Sequence, residues 1–200
     1  MRTVKAMFLA VVCAMFGCGC RNIVSLKSGS LATLKGSTVV NLEYSYEGLK
    51  VGNETEEEYV RHRTEKRDRE SGDKWLNRWQ NNRVARFQPK FEQLLNHQLA
   101  ARDVDLHFGN HPEAKYTLLL KSTSISLGWH IGVMYQPAFL DADAILFETR
   151  NRENQVAMVT FRKMLGMDPI IIAFEQGWRV QESYARTGKA LGVLVANTVK

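Results

Sequence analysis

Cys13, Cys18 and Cys20 are the three cysteines of this 200-residue chain, and none follows them. Everything beyond residue 20 must therefore fold without disulfides, thiolate metal sites or a cysteine nucleophile. A chain of this length is expected to make one domain plus a targeting segment, large enough to bury a proper core. With 44% hydrophobic residues it has the material to hold by packing alone.

The stretch that carries the cysteines explains their placement. Arg2 and Lys5 form a positive start, and Ala6 to Gly17 is an unbroken apolar run of twelve residues. Such a run is short for a bilayer span but right for the apolar region of a secretory signal. Gly17 then precedes Cys18, and Gly19 precedes Cys20. The arrangement resembles a bacterial lipoprotein signal, which implies lipidation of the cysteine after a small residue. Met15 stands where that family usually has Leu, and Phe16 where it prefers a small residue. Cys20 has only Gly17 three places before it, so Cys18 is the expected anchor. The expected organisation is a signal peptide over 1–17, an anchor and Ser/Gly-rich tether over 18–37, and a single domain over 38–200. An unpaired cysteine in an exported chain needs such a purpose, and several fatty chains on one N-terminus hold stably.

Loss of residues 1–17 removes Arg2, Lys5 and no acid, lowering the net charge from +6 to +4. Inside a cell a basic balance points toward nucleic acid. Outside the cytoplasm the anions are lipid headgroups, lipopolysaccharide and wall polymers, so no nucleic-acid partner is expected.

The pattern along the rest of the chain predicts its elements. Val40, Leu42, Tyr44 and Tyr46 alternate with Val39, Asn41, Glu43 and Ser45, the period of a half-buried strand. Glu54 to Glu70 is polar and reads as a solvated helix, with Asn53 and Glu56 as a capping box and Glu57–Arg61 and Glu65–Arg69 as supporting pairs. From Asp73, a candidate N-cap, to Arg102 the apolar residues recur at helical spacing. Pro89 interrupts them, predicting a kink or a second helix with Pro89 in its first turn. "VDLHF" and Ala114–Trp129 read as strands, and "PAFLDADAILFET" with "QVAMVTFRKML" as an antiparallel hairpin turning at Asn151–Asn154. Trp178 to Thr198 carries Val180, Tyr184, Gly188, Leu191 and Val195 on one helical stripe. Gly188 and Gly192 leave room for a close approach. Asp168–Pro169 as a cap and Ile170–Ile172 as a strand remain alternatives. The order is β-α-β-β-β-β-α: an α+β fold, an antiparallel-rich sheet of about five strands with two main helices on one face.

"PEAKYTLLLKSTSI" is similar to the opening of the second long strand in small envelope lipoproteins of Gram-negative bacteria, many of unknown function. "DADAILFETRNRENQVAMVTF" occupies the place of their hairpin, although its turn reads Asn-Arg-Glu-Asn where theirs usually reads Asp-x-x-x-Gly-Lys. Their domain is similar to the amino-terminal domain of the periplasmic protein TolB and to lipopolysaccharide-assembly lipoproteins. The resemblance covers about Val104 to Asn197. It implies an accessory or adaptor role in an envelope complex, held to the outer membrane by lipid, with an envelope protein as partner and no enzyme activity.

Catalytic candidates are few. His107 and His111, with Glu113 beside them, lie on a loop where their spacing fixes no geometry, and no HExxH motif is present, so no metal or cofactor is expected. Asp141 and Asp143 share a strand face, which opens the alternative of a hydrolase acting on wall or surface glycans. Alternation with Ala142 and Ala144 predicts instead acids outward and small residues inward, with both acids replaceable at little cost. The stretch that stands out is Lys74 to Lys90, with Lys74, Arg78, Arg83, Arg86 and Lys90 and no acid among them. Lys74, Arg78 and Arg86 lie along one rail of a helix beside Trp75 and Trp79. An amphipathic helix with a solvated basic face accounts for this. The same residues, with Lys90, also suit contact with anionic lipid or lipopolysaccharide.

Overall fold

The structure, a computed structural model, describes residues 22–131, 134–166 and 176–200. Cys18, the expected lipidation site, and the 168–177 alternatives up to residue 175 lie outside the described residues. The fold is α+β, with a sheet larger than the sequence predicts. Eight strands form it: β1 (Ile23–Gly29), β2 (Val39–Ser45), β3 (Lys50–Val51), β4 (Glu54–Thr55), β5 (His107–Gly109), β6 (Tyr116–Ser126), β9 (Ala138–Glu148) and β10 (Asn151–Gly166). A separate ribbon pairs β7 (Trp129–Ile131) with β8 (Met134–Gln136).

The main path runs β1-β10-β9-β6-β2-β5. The expected hairpin is β9 and β10, although it turns at Thr149–Arg150 and Asn151–Asn154 belong to the irregular start of β10; β1, β10, β9 and β6 are successively antiparallel. β2 runs parallel to both β6 and β5, and β3 continues the same edge of β6. Parallel neighbours need a long crossover, which the helices between β2 and β5 supply. The β5 edge is closed by one side chain: Asn96 donates to the Phe108 carbonyl at 2.7 Å and accepts the Phe108 N–H at 2.9 Å. That amide occupies the hydrogen-bonding groups another strand would seek.

The helices are α1 (Glu56–Glu65), α2 (Arg69–Asn82), α3 (Gln88–Ala100) and α4 (Gln176–Val199). Thr55 and Glu58 form the capping box of α1, and Asp68 caps α2 by accepting the Ser71 N–H. The caps therefore sit two residues after and five before the expected Asn53 and Asp73. α2 passes into α3 through a π turn over Arg83–Phe87, with the Gln88 N–H donating to the Arg83 carbonyl. Pro89, at the start of α3, has no N–H for an ordinary helical bond, and the wider turn accommodates it. α2 and α3 thus run end to end.

The two main helices of the prediction are α3 and α4, packed on one sheet face. Phe91, Leu95 and Leu99 of α3 and Val180, Tyr184, Leu191 and Val195 of α4 are buried against Leu118, Leu120, Leu140, Leu146, Val159 and Phe161. Ala142, Ala144 and Ala157 keep the sheet thin beneath them. A Cβ on Gly188 would overlap the Phe91 carbonyl oxygen, and one on Gly192 would lie 2.6 Å from that of Leu95. The helices meet there backbone to backbone, as the two glycines suggest.

The expected tether over 18–37 is corrected by this arrangement from Ile23 onward. β1 pairs with β10, and the following 3-10 turn, Leu31–Leu34, buries both of its leucines. Their spacing of three puts both on one side of a tight turn, and Ser30 caps it through the Ala32 N–H. Leu34→Ala should lower unfolding stability in urea by about 2–5 kcal/mol. A change near zero would return this segment to a tether.

Candidate functional site

The basic rail on α2 is placed differently from the expectation. Trp75 and Trp79 stack at 5.9 Å with an interplanar angle of 10°, and both meet Tyr59 of α1 at 5.8 and 5.3 Å. Trp79 is buried, and its indole N–H donates to Glu56 Oε1 at 2.6 Å. The rings hold α1 onto α2, with the Arg67 guanidinium 5.6 Å from the Trp75 ring, and do not form an interfacial belt with Lys74 and Arg78. Tyr59 is the one buried residue of α1, so this aromatic contact is how a polar helix attaches to the domain.

The cations divide accordingly. Lys74 pairs with Glu70, one turn before it, and stays exposed like Arg78. Arg86 turns inward, its guanidinium 4.9 Å from the Trp178 ring, and Lys90 is half-buried. Arg83 lies 4.1 Å from the Tyr46 ring and pairs with Glu56, which it shares with Trp79. Of the predicted contact set, Lys74 and Arg78 remain at the surface, and Trp79 is removed from it.

Behind this face lies a polar seam that the sequence did not single out. Tyr184 is fully buried, stacks on Phe87 at 5.1 Å, and its hydroxyl hydrogen-bonds Ser122 Oγ at 2.6 Å. Tyr44 donates to the Gln88 carbonyl at 3.1 Å. Burial pushes the Tyr44, Tyr46 and Tyr184 hydroxyls above the ordinary phenol range, so all three stay protonated at neutral pH. The seam is a set of neutral donors, suited to locking α3 and α4 on the sheet. It supplies no base.

The histidine pair is real as a contact: His107 Nδ1 lies 3.3 Å from His111 Nε2, and His111 is 3.8 Å from Glu113. Among the described residues no group of three or more His, Cys, Asp or Glu is placed to hold a metal ion. Asp141 and Asp143 lie on β9 between the buried Ala142 and Ala144, as the alternation predicts. Both carboxylates are engaged. Asp143 accepts from Arg162 at 2.7 Å, and Asp141 accepts the backbone N–H of Lys163 at 2.7 Å. Lys163 sits at φ 53 in a bulge of β10, so the Asp141 carboxylate fixes an unfavourable backbone geometry.

These contacts revise the cost of removing the acids. Asp141→Asn with Asp143→Asn should cost about 1–3 kcal/mol in chemical unfolding, since charged hydrogen bonds are lost from part-buried positions. Replacement at a cost below about 0.5 kcal/mol would mean solvated surface acids.

No family model matches the chain, and no curated protein matches it. Among solved structures, the PelC dodecamer from Paraburkholderia phytofirmans is similar with a TM-score of 0.39 and 12% identity, over 86% of this chain and 97% of that one. A second structure of that dodecamer, with a leucine-to-methionine substitution, gives 0.37 and 12% over the same shares. Likeness at this level carries no functional argument.

Proposed function

We propose that this chain is a lipid-anchored, extracytoplasmic binding or assembly component of the bacterial envelope, held to the outer membrane through Cys18. The observation that carries the reading is the Gly17–Cys18 step at the end of a twelve-residue apolar run with a positive start. The position of the fold supports it: β1 begins at Ile23, five residues after Cys18. A cysteine there would hold the folded domain close against lipid.

The adaptor role draws on the sheet face away from the helices. Leu119, Ile145 and Met158 stand opposite one another across β6, β9 and β10, and all three are half-exposed. A row of apolar side chains on an open sheet face suits a protein partner. Anionic lipid or lipopolysaccharide remains a further partner of this reading. Against the glycan hydrolase stand the engaged carboxylates of Asp141 and Asp143, which are held in a backbone contact and an ion pair respectively. Among the described residues no helix is long and apolar enough to cross a membrane, so α4 is not a second means of attachment in this proposal.

Fractionation of cells tests the anchor. Cys18→Ala should move the protein out of the membrane fraction, while Cys20→Ala leaves it there. Release by Cys20→Ala alone shifts the anchor by two residues, and release by neither removes the lipoprotein reading.

A further inference from the structure

A trough of about 740 Å³ runs between β1 and α4 and is distinct from the α2 face. Its floor and walls include Val24 of β1, Leu94 of α3, and Ala190, Val193 and Leu194 of α4. Val24 and Leu26 pair with Phe161 and Val159, both on the helix side of the sheet, so both face that side, and Val24 lines the trough itself. They are 39% and 48% exposed, because β1 extends the sheet beyond the cover of α4. Arg186 and the exposed Lys189 lie in the lining, Lys27 follows Leu26 on the strand, and Glu182 is the one acid among the lining residues.

We propose that this trough is the surface by which the domain rests on an anionic bilayer. Three observations meet there. Its apolar walls suit the boundary between headgroups and acyl chains, and its cations suit the phosphates above them. The third is the place of Cys18 in the chain. Asn22 lines the trough, and Cys18 is four residues earlier. Four extended residues reach at most about 14 Å. Resting on the anchor reading, this short reach keeps β1 and α4 at the lipid surface, whereas Lys74 and Arg78 on α2 carry no such constraint.

The test uses the full-length lipidated chain with vesicles of phosphatidylcholine alone or mixed with phosphatidylglycerol. Retention on neutral vesicles measures the anchor. Side-chain footprinting measures the trough. On anionic vesicles Val24, Leu26, Lys189 and Leu194 should become protected while Lys74 and Arg78 stay reactive. In flotation on anionic vesicles of the unlipidated Cys18→Ala chain, Arg186→Gln and Lys189→Gln should each weaken binding by about fivefold. No retention on neutral vesicles with trough protection on anionic ones would remove the anchor and keep the contact. Absence of protection on anionic vesicles, or protection on α2 alone, overturns the proposal. Protection that depends on protein concentration and needs no vesicle marks the trough as an interface with a second copy, and also overturns it.

Discussion

The contact between Gly188 and Gly192 on α4 and the carbonyl oxygens of Phe91 and Leu95 on α3 sets the spacing of the helical layer. Each glycine inside a helix costs about 1 kcal/mol relative to alanine. The close approach offsets that cost by letting Phe91, Leu95, Leu191 and Val195 all reach complete burial. A buried side chain of this kind contributes roughly 1.5–3 kcal/mol. Without the approach, α3 and α4 would stand farther apart and leave the centre of the sheet, around Ala142 and Ala144, under-filled.

With that spacing set, other features follow. α2 continues into α3 through the π turn over Arg83–Phe87, which accommodates Pro89 without ending the helical path. The turn brings Phe87 onto Tyr184, and Arg83 onto Tyr46 and Glu56. Glu56 also receives the Trp79 indole, so α1 is fastened to the same assembly. The cations and rings of this region are thus mostly consumed in holding helices together. The β1–α4 side keeps its apolar and basic groups at the surface.

Much of this was legible in the sequence where the information is local. The stripe on α4, the β9–β10 hairpin and the break at Pro89 all depend on residues close together in the chain. β1 was not legible, because Ser25, Ser28 and Gly29 suggest a tether and only pairing with β10, far along the sequence, makes them a strand. The parallel pairing of β2 with β6 was hidden for the same reason. Basic residues beside Trp75 and Trp79 suggested an interface, but the direction of those rings is decided by Tyr59, one aromatic residue in an otherwise polar helix. The acids of β9 were correctly placed facing away from the core; that they bind Arg162 and the Lys163 backbone depended on a bulge no periodicity reveals.

Chemical denaturation of Gly188→Ala and Gly192→Ala tests the helical seam most directly. Helix propensity alone would make each variant about 1 kcal/mol more stable. Overlap with the Phe91 carbonyl and the 2.6 Å approach to that of Leu95 act in the opposite direction. Overpacking of this kind costs about 1–3 kcal/mol or more, so both variants should be less stable than the parent protein, and the double variant less stable than either. Two stabilised variants would show that α3 and α4 do not depend on this contact.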